Sequence, residues 1–440
     1  MSGIKFGTDG WRAVMAETFT FENVRMVAQS IADYINNHRL APRGVVIGFD
    51  TRFLSDRFAR TVAEVMLGND IPVFLTHTYC PTPVTAYITT CRQAAGAVML
   101  TASHNPPEYN GIKFIPEYGG PALPEVTDEI ERNLSALLQL PGELAAGCAP
   151  PYRCLSLEEG RRRGIVREID PREEYLAHLA RIIDVEAIRR RPLKVVVDPM
   201  YGCGMGYLEE FLARANCQVK SIHAFCDPRF GGIVPEPMGR WLSELREAVV
   251  GSQADLGLAL DGDADRFGVI DRHGRYFTAN ESLYLFLHHL LRTREHRGPV
   301  ARTVATTHML DRIAIRYGLS VEETAVGFKY IGQSLRERGA IIGGEESGGL
   351  SIHGHVPEKD GILGCALMVE MVSVWGKDPA ELEQEIQAEY GSLVSERLDL
   401  HTTPEEKDRI AGILKEFNPA VIAGYRVLGS NRVDGLKLVL

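Results

Sequence analysis

Three short segments carry residue types that could do chemistry, at spacings that favour it. DGDADR (261–266) supplies Asp261, Asp263 and Asp265 at alternating positions. Alternation lets three carboxylates converge on one hard cation while the residues between them point away. Without a cation, three such charges at the end of an apolar run repel one another. A calcium loop that begins Asp-x-Asp-x-Asp needs Gly at its sixth position and Glu at its twelfth. Arg266 and Arg272 stand there instead, which rejects it.

The second segment, TASHNPPEYNGIKF (101–114), sets Ser103 and His104 directly after an apolar run. Pro106 and Pro107 disfavour helix immediately afterwards, so Ser103 is expected on an exposed turn. A serine so placed can take a phosphoryl group and return it, splitting one transfer into two covalent steps. Alone, a Ser-His pair reads as a turn serine capping its own backbone. A phosphoserine beside the three carboxylates would suit Mg²⁺, which is held by a few carboxylates plus phosphate oxygen. Such an ion would withdraw electron density from the phosphoryl group and align it, with Arg266 facing the substrate.

The third segment, GGEESGG (343–349), brackets Glu345 and Ser347 with glycines that let the backbone approach a ligand. Vicinal sugar hydroxyls suit such acceptors, although by itself the segment is an acidic turn. The remaining polar candidates for substrate contact are Arg12, Lys113, Lys329, His355 and Lys359. His308 reads equally as a residue at the start of a helix.

Each segment follows an apolar run: GAVML, DLGLAL and GAIIG. Upstream of each lies a β-type run, a 3.6-period helical pattern and a second β-type run. VVIGFD (45–50), VVVDPM (195–200) and ARTVATT (301–307) begin these units. Strand, helix, strand is the βαβ unit, and three copies imply three α/β domains. In such sheets ligands collect beyond the carboxyl ends of the strands, so three loops could face one cleft. The Pro- and Gly-rich PGELAAGCAPPYRC (141–154) reads as a linker. The expected boundaries are 1–155 for the domain with the serine loop and 156–275 for the one with the carboxylate loop. A domain with the GEESGG loop is expected over 276–385, and 386–440 should form a smaller, helix-rich end with GYRVL and GLKLVL as strands.

The formal charge of −10 over 440 residues argues against nonspecific nucleic-acid binding, so an anionic substrate must be drawn by a local cluster of Arg and Lys. Eight scattered cysteines without Cys-x-x-Cys spacing point to reduced thiols rather than zinc. No signal-peptide layout and no apolar stretch of roughly 20 residues is present, so the expectation is a cytoplasmic protein without a membrane partner.

Together these residues resemble the α-D-phosphohexomutase family, which includes phosphoglucomutase, phosphomannomutase and the phosphoglucosamine mutases. The resemblance runs from FGTDGWR to the last residues, and TASHNP, DGDADR and GEESGG in this order are specific to it. It implies an α/β fold: three similar α/β/α domains with mixed sheets and a small α+β fourth domain around a central cleft. It carries Ser103 over as the phosphorylated serine and a metal ligand, His104 beside it, and Asp261, Asp263 and Asp265 as Mg²⁺ ligands. Lys113 matches a general acid/base, Arg12 and Arg266 match active-site arginines, and Glu345 with Ser347 match a hydroxyl-reading pair. Lys329 and His355 are carried as substrate-binding residues.

Two departures stand out. Dual-specificity phosphomannomutases resemble GEMSGH, with histidine where this chain has Gly349. GEES with EKDG instead resembles a glucose-preferring branch, where a lysine in the position of Lys359 serves. The second departure is at the carboxyl end. The family's fourth domain carries a loop resembling Arg-x-Ser-Gly-Thr-Glu that grips the non-reacting phosphate, and the chain stops at Leu440 before such a loop. The expectation is a partial fourth domain, Ser103 phosphorylation and Mg²⁺ binding retained, and poor turnover. The implied activity is that of an isomerase acting on small-molecule hexose phosphates, glucose and/or mannose, through a hexose 1,6-bisphosphate. Alternatives are a phosphoglucosamine mutase, a phosphatase or an inactive sugar-phosphate-binding homologue. Oligomeric state is left open by the sequence.

Overall fold

The computed structural model describes residues 4–5, 10–139, 150–396, 398 and 402–440. Residues 6–9 of FGTDGWR, most of the expected linker and Cys148 lie outside the described residues.

The first sheet contains β1 (Trp11–Val14), β2 (Val45–Phe49), β3 (Val73–Thr76), β4 (Gly96–Leu100), β5 (Tyr109–Pro116) and β6 (Val166–Ile169), in the order β1-β5-β4-β2-β3-β6. The second contains β7 (Lys194–Asp198), β8 (Gln218–Ser221), β9 (Leu256–Leu260), β10 (Phe267–Asp271) and β11 (Tyr276–Phe277), ordered β11-β10-β9-β7-β8. The third contains β12 (Val300–Thr303), β13 (Val321–Thr324), β14 (Ile342–Gly344) and β15 (Leu350–Ile352), ordered β13-β12-β14-β15. All three sheets are mixed. In each, a parallel set ends on a strand that turns back antiparallel: β4 into β5, β9 into β10, β14 into β15.

These turnings are the three segments singled out by their chemistry. The serine loop joins β4 to β5, the carboxylate loop joins β9 to β10, and the glutamate loop joins β14 to β15. Strands β4 and β9 are buried along their whole length, as expected where helices cover both faces of a parallel sheet. A rigid strand thus delivers each loop.

The helix Gly361–Trp375 is apolar on nearly every face and buried over most of its length. It touches β9 and β10 of the second sheet and β15 of the third, so these two units share one continuous core. Asp360 caps its start, accepting from the Leu363 N–H at 2.9 Å. That cap fixes the chain immediately after Lys359.

Strand β6 differs from the expectation. It falls within the range assigned to the second domain, yet pairs parallel with β3 at the edge of the first sheet. Composition marked the linker before it but carried no signal of which sheet edge the next strand would join. Residues 402–440 form the helix Pro404–Glu416 and two hairpins, β16 (Val421–Ile422) with β17 (Tyr425–Arg426) and β18 (Gly429–Asn431) with β19 (Lys437–Val439). They lean on the third unit through Asn431 and Lys437 at Glu323, and through Asp434, which accepts from the Val326 N–H at 2.9 Å. The described cysteines are all free. Among the described residues no helix is long and apolar enough to cross a membrane.

Candidate active site

Ser103 occupies the left-handed region, with φ of 51°, a strained conformation for a residue with a side chain. Its N–H donates to Thr101 Oγ1 at 2.8 Å, and its hydroxyl donates to Asp261 Oδ2 at 2.9 Å. His104 Nδ1 lies 3.3 Å from the same hydroxyl. The turn is as expected, but its exposure is not: Ser103 is only 1% exposed. The carboxylate loop covers it. A Cβ on Gly262 would stand 2.6 Å from the Ser103 carbonyl oxygen, so glycine there permits the close approach.

Burial first, then Arg266 and Arg12, push the His104 imidazole down to about 3. At neutral pH it is an uncharged hydrogen-bonding ring beside Ser103.

Asp261, Asp263 and Asp265 are fully buried and each offers one oxygen within 4.8 Å of the others. Thr82 from the first unit donates its hydroxyl to Asp263 Oδ2 at 2.6 Å and its N–H to the Asp263 carbonyl at 3.0 Å. Lys113 on β5 reaches Asp263 Oδ2 at 2.8 Å and Asp265 Oδ2 at 3.1 Å, and Lys359 stands 3.3 Å from Asp265 Oδ2. Burial, with Asp263 and Asp265 as neighbours, drives the Asp261 carboxyl well above the usual carboxylate range. Burial acts upward on Asp263 too, but Lys113 and the donated hydrogen bonds outweigh it and hold that carboxyl below the range.

This donor set fits a hard divalent cation. Asp263 Oδ1 and Asp265 Oδ1 are buried without a hydrogen-bond donor, a costly state for polar oxygens that a cation would relieve. The donors are all carboxylate oxygens, the ligands magnesium prefers. The lysine ammonium groups already show that positive charge is drawn to this point.

Above the carboxylates opens a cleft of about 510 Å³. Arg12, His104, Arg266, Glu345, Ser347 and Lys359 line it, so residues from three loops and three sheets meet there. Arg12 Nη1 donates to Asn105 Oδ1 at 2.8 Å, orienting the guanidinium along the serine loop. Arg266 closes its own turn, its N–H donating to Asp261 Oδ1 at 3.0 Å. Glu345 Oε1 accepts from the Gly327 N–H at 3.0 Å, which ties the glutamate loop to the start of the helix Phe328–Arg338.

Gly349 explains itself through Lys359. A Cβ there would stand 2.5 Å from Lys359 Cδ and 2.7 Å from Cγ. The lysine stem lies against the glycine, so a larger residue at 349 and a lysine at 359 exclude one another in this packing.

Two of the substrate-contact candidates reach neither the carboxylates nor the cleft. His355 has a fully buried side chain whose Nε2 lies 2.8 Å from Asp360 Oδ2 and whose Nδ1 lies 2.9 Å from His178 Nε2. Tyr175 donates to the same Asp360 oxygen at 2.7 Å. The histidine fastens the third unit to the helix Arg172–Ile182 instead of touching substrate. His355→Ala is expected to leave KM little changed while lowering stability by about 1–3 kcal/mol, because Asp360 and His178 lose a buried partner; denaturant melts read this directly. Lys329 lies over the Tyr330 ring at 5.4 Å, in a crevice with Tyr118 and Arg336. Successive helical residues point about 100° apart, so Phe328 faces the cleft and Lys329 turns away. His308 joins neither group, lying 3.1 Å from Arg302 Nη2.

The motifs do not single out Thr82, the cleft residues Lys5, Glu236 and Glu346, or the buried pair Asp50 and Arg52. Asp50 and Arg52 carried a usable signal, since they follow β2 at the carboxyl end where ligand loops gather. Glu236, between two prolines in VPEP, carried none.

Three family models match the chain. Phosphoglucomutase/phosphomannomutase alpha/beta/alpha domain I matches residues 3–140, domain II residues 173–274 and domain III residues 278–390. A protein of Thermococcus kodakarensis named phosphoglucomutase/phosphomannomutase is 31% identical over 99% of this chain and 90% of its own length. A protein of Carboxydothermus hydrogenoformans named phosphoglucosamine mutase is 30% identical over 98% of this chain and 91% of its own length. A crystal structure from Thermus thermophilus, described as a phosphomannomutase, superposes with a TM-score of 0.84 at 32% identity, covering 100% of this chain and 92% of that one.

Proposed function

Because the chain belongs to the phosphoglucomutase/phosphomannomutase family of α-D-phosphohexomutases, and is therefore an isomerase of the phosphoryl-transferring kind, we propose that it interconverts hexose 1-phosphate and hexose 6-phosphate. Glucose, mannose or both are the proposed sugars, with Ser103 as the phosphoryl carrier and a hexose 1,6-bisphosphate between substrate and product. The observation that carries the reading is the Ser103 hydroxyl, held 2.9 Å from Asp261 within the buried triad and one residue from the cleft wall.

In the proposed cycle phosphoserine donates to the free sugar hydroxyl. The bond from phosphorus to Ser103 Oγ breaks, a bond to the sugar oxygen forms, the sugar hydroxyl proton passes to a base, and the departing Ser103 Oγ takes up a proton. The bisphosphate then reorients and its other phosphate returns to Ser103. Phosphoryl transfer needs positioning and charge stabilisation more than covalent chemistry from the protein. Arg12 and Arg266 supply cationic donors for phosphate oxygens across the cleft, where Glu345 and Ser347 are placed to read vicinal hydroxyls. Lys113 and Lys359 are the groups proposed to hold or pass the proton. Asp261, Asp263, Asp265 and the phosphorylated Ser103 would hold Mg²⁺, which when bound neutralises charge on the phosphoryl oxygens.

Lys359→Met is expected to lower kcat by roughly 10²-fold or more, the scale of a general acid/base. Gly349→Ala should reduce kcat in the same direction by pushing the lysine stem aside. Steady-state kinetics of both variants beside His353→Ala checks this; a normal Lys359→Met would move the role elsewhere.

A phosphoglucosamine mutase is the second reading, favoured by relatives so named. One coupled assay separates them: glucose 1-phosphate, mannose 1-phosphate and glucosamine 1-phosphate side by side, with catalytic hexose 1,6-bisphosphate. Turnover of glucose or mannose phosphate is expected. Turnover of the amino sugar alone would select the second reading, and none with any of the three would remove both.

A further inference from the structure

We infer that Arg52 is a positioning residue for the phosphoserine: one guanidinium gathers four backbone carbonyls of the 103–109 loop and so sets the attitude of Ser103. The inference rests on the reading of Ser103 as the phosphoryl carrier and deepens it.

Arg52 follows β2 and is 3% exposed. Its Nη2 donates to the carbonyls of Ser103 at 2.7 Å and Asn105 at 2.6 Å. Its Nη1 donates to the carbonyls of Pro106 at 2.8 Å and Tyr109 at 3.0 Å. Nε pairs with Asp50 Oδ2 at 3.2 Å. Asp50 is itself held, accepting from the Arg52 N–H at 2.9 Å and the Ser55 hydroxyl at 2.8 Å. Across the domain boundary, the guanidinium lies over the Phe230 ring at 4.9 Å.

The loop requires such a donor set. Buried carbonyls must be paired, and residues 103–108, up to the start of β5, lie in neither helix nor strand. Pro106 and Pro107 have no N–H to offer, and Ser103 sits at positive φ. A guanidinium is planar and permanently charged, and it presents five N–H donors in a fixed fork. Four of those donors meet the carbonyls of Ser103, Asn105 and Pro106 in the loop and of Tyr109 at the start of β5, the Pro106 carbonyl also accepting from the Tyr109 N–H at 3.1 Å. The same group holds the serine loop against the second unit, where Gly262 meets the Ser103 carbonyl. Lysine cannot repeat this: its three donors radiate from one atom.

The test compares Arg52→Lys, Arg52→Ala and Phe230→Leu with wild type. Mg²⁺ affinity is measured by calorimetry, and the rate of Ser103 phosphorylation by hexose 1,6-bisphosphate is followed by intact mass. Arg52→Lys is expected to keep Mg²⁺ binding and KM near wild type while phosphorylation and kcat fall about 100-fold, the scale of a reacting group misplaced by about 1 Å. Millimolar guanidinium should restore part of the rate to Arg52→Ala, and Phe230→Leu should show a smaller loss of the same kind. A wild-type phosphorylation rate in Arg52→Lys, or equal losses of Mg²⁺ binding and phosphorylation, would overturn the inference. Should Arg52→Lys fail to fold, an unchanged rate in Phe230→Leu overturns it. A wild-type protein that takes no phosphate on Ser103 removes the premise, whereas a phosphorylated wild type with indifferent variants defeats the Arg52 inference alone.

Discussion

Replacing Ser103 with alanine is expected to remove mutase turnover, by at least about 10⁴-fold, the scale on which loss of a covalent nucleophile acts. The fold should persist. Alanine suffers the same strain at positive φ as serine does, and only the hydroxyl contacts to Asp261 and His104 are lost. Wild-type protein should carry phosphate on the peptide containing Ser103 in part of the population, and Ser103→Ala should carry none. Intact mass and peptide mapping read this independently of activity. A Ser103→Ala protein with full turnover would assign the phosphoryl carrier to another residue.

The second large effect is expected at Asp263. Its Oδ2 accepts from Thr82 and Lys113, and its Oδ1 is buried without a donor. Asn in its place removes a charge from the triad and turns an amide N–H₂ toward either a cation or two hydrogen-bond donors. Asp263→Asn should therefore weaken Mg²⁺ binding and lower turnover together, by about 10²-fold or more, because charge neutralisation by such an ion is worth several kcal/mol. Calorimetry with Mg²⁺ and turnover titrated with chelator measure both sides. Undiminished turnover in excess chelator would sink the assignment.

Much of this site was legible in the sequence because its loops follow apolar strands. Buried parallel strands read as continuous runs, and the Gly, Pro and Asp residues after GAVML, DLGLAL and GAIIG mark where each run stops. The βαβ pattern then implied that the stops would face one way. Gly96–Leu100 forms a strand with the bounds of the GAVML run.

What stayed hidden depends on contacts between distant elements. His355 lies four residues from Lys359, yet its ring turns inward to Asp360 and His178, an orientation set by the helix Arg172–Ile182 that local sequence does not describe. Lys329 stands one helical step beyond Phe328, the residue that faces the cleft. Arg52 follows β2 where ligand loops gather, but its four carbonyl partners lie some fifty residues away in the chain, and local sequence does not describe them. Burial of Ser103 followed from Gly262 in the next unit, beyond the reach of any turn rule.

The central claim is that Ser103 passes its phosphate to a sugar and takes one back. A single-turnover experiment addresses it most directly. Enzyme labelled on Ser103 with isotopic phosphate is freed of excess label and mixed with one equivalent of unlabelled glucose 1-phosphate. The label should leave the Ser103 peptide, appear in hexose 1,6-bisphosphate and then in hexose monophosphate, with little inorganic phosphate formed. Label that remained on Ser103 while product accumulated, or that left only as inorganic phosphate, would contradict the account.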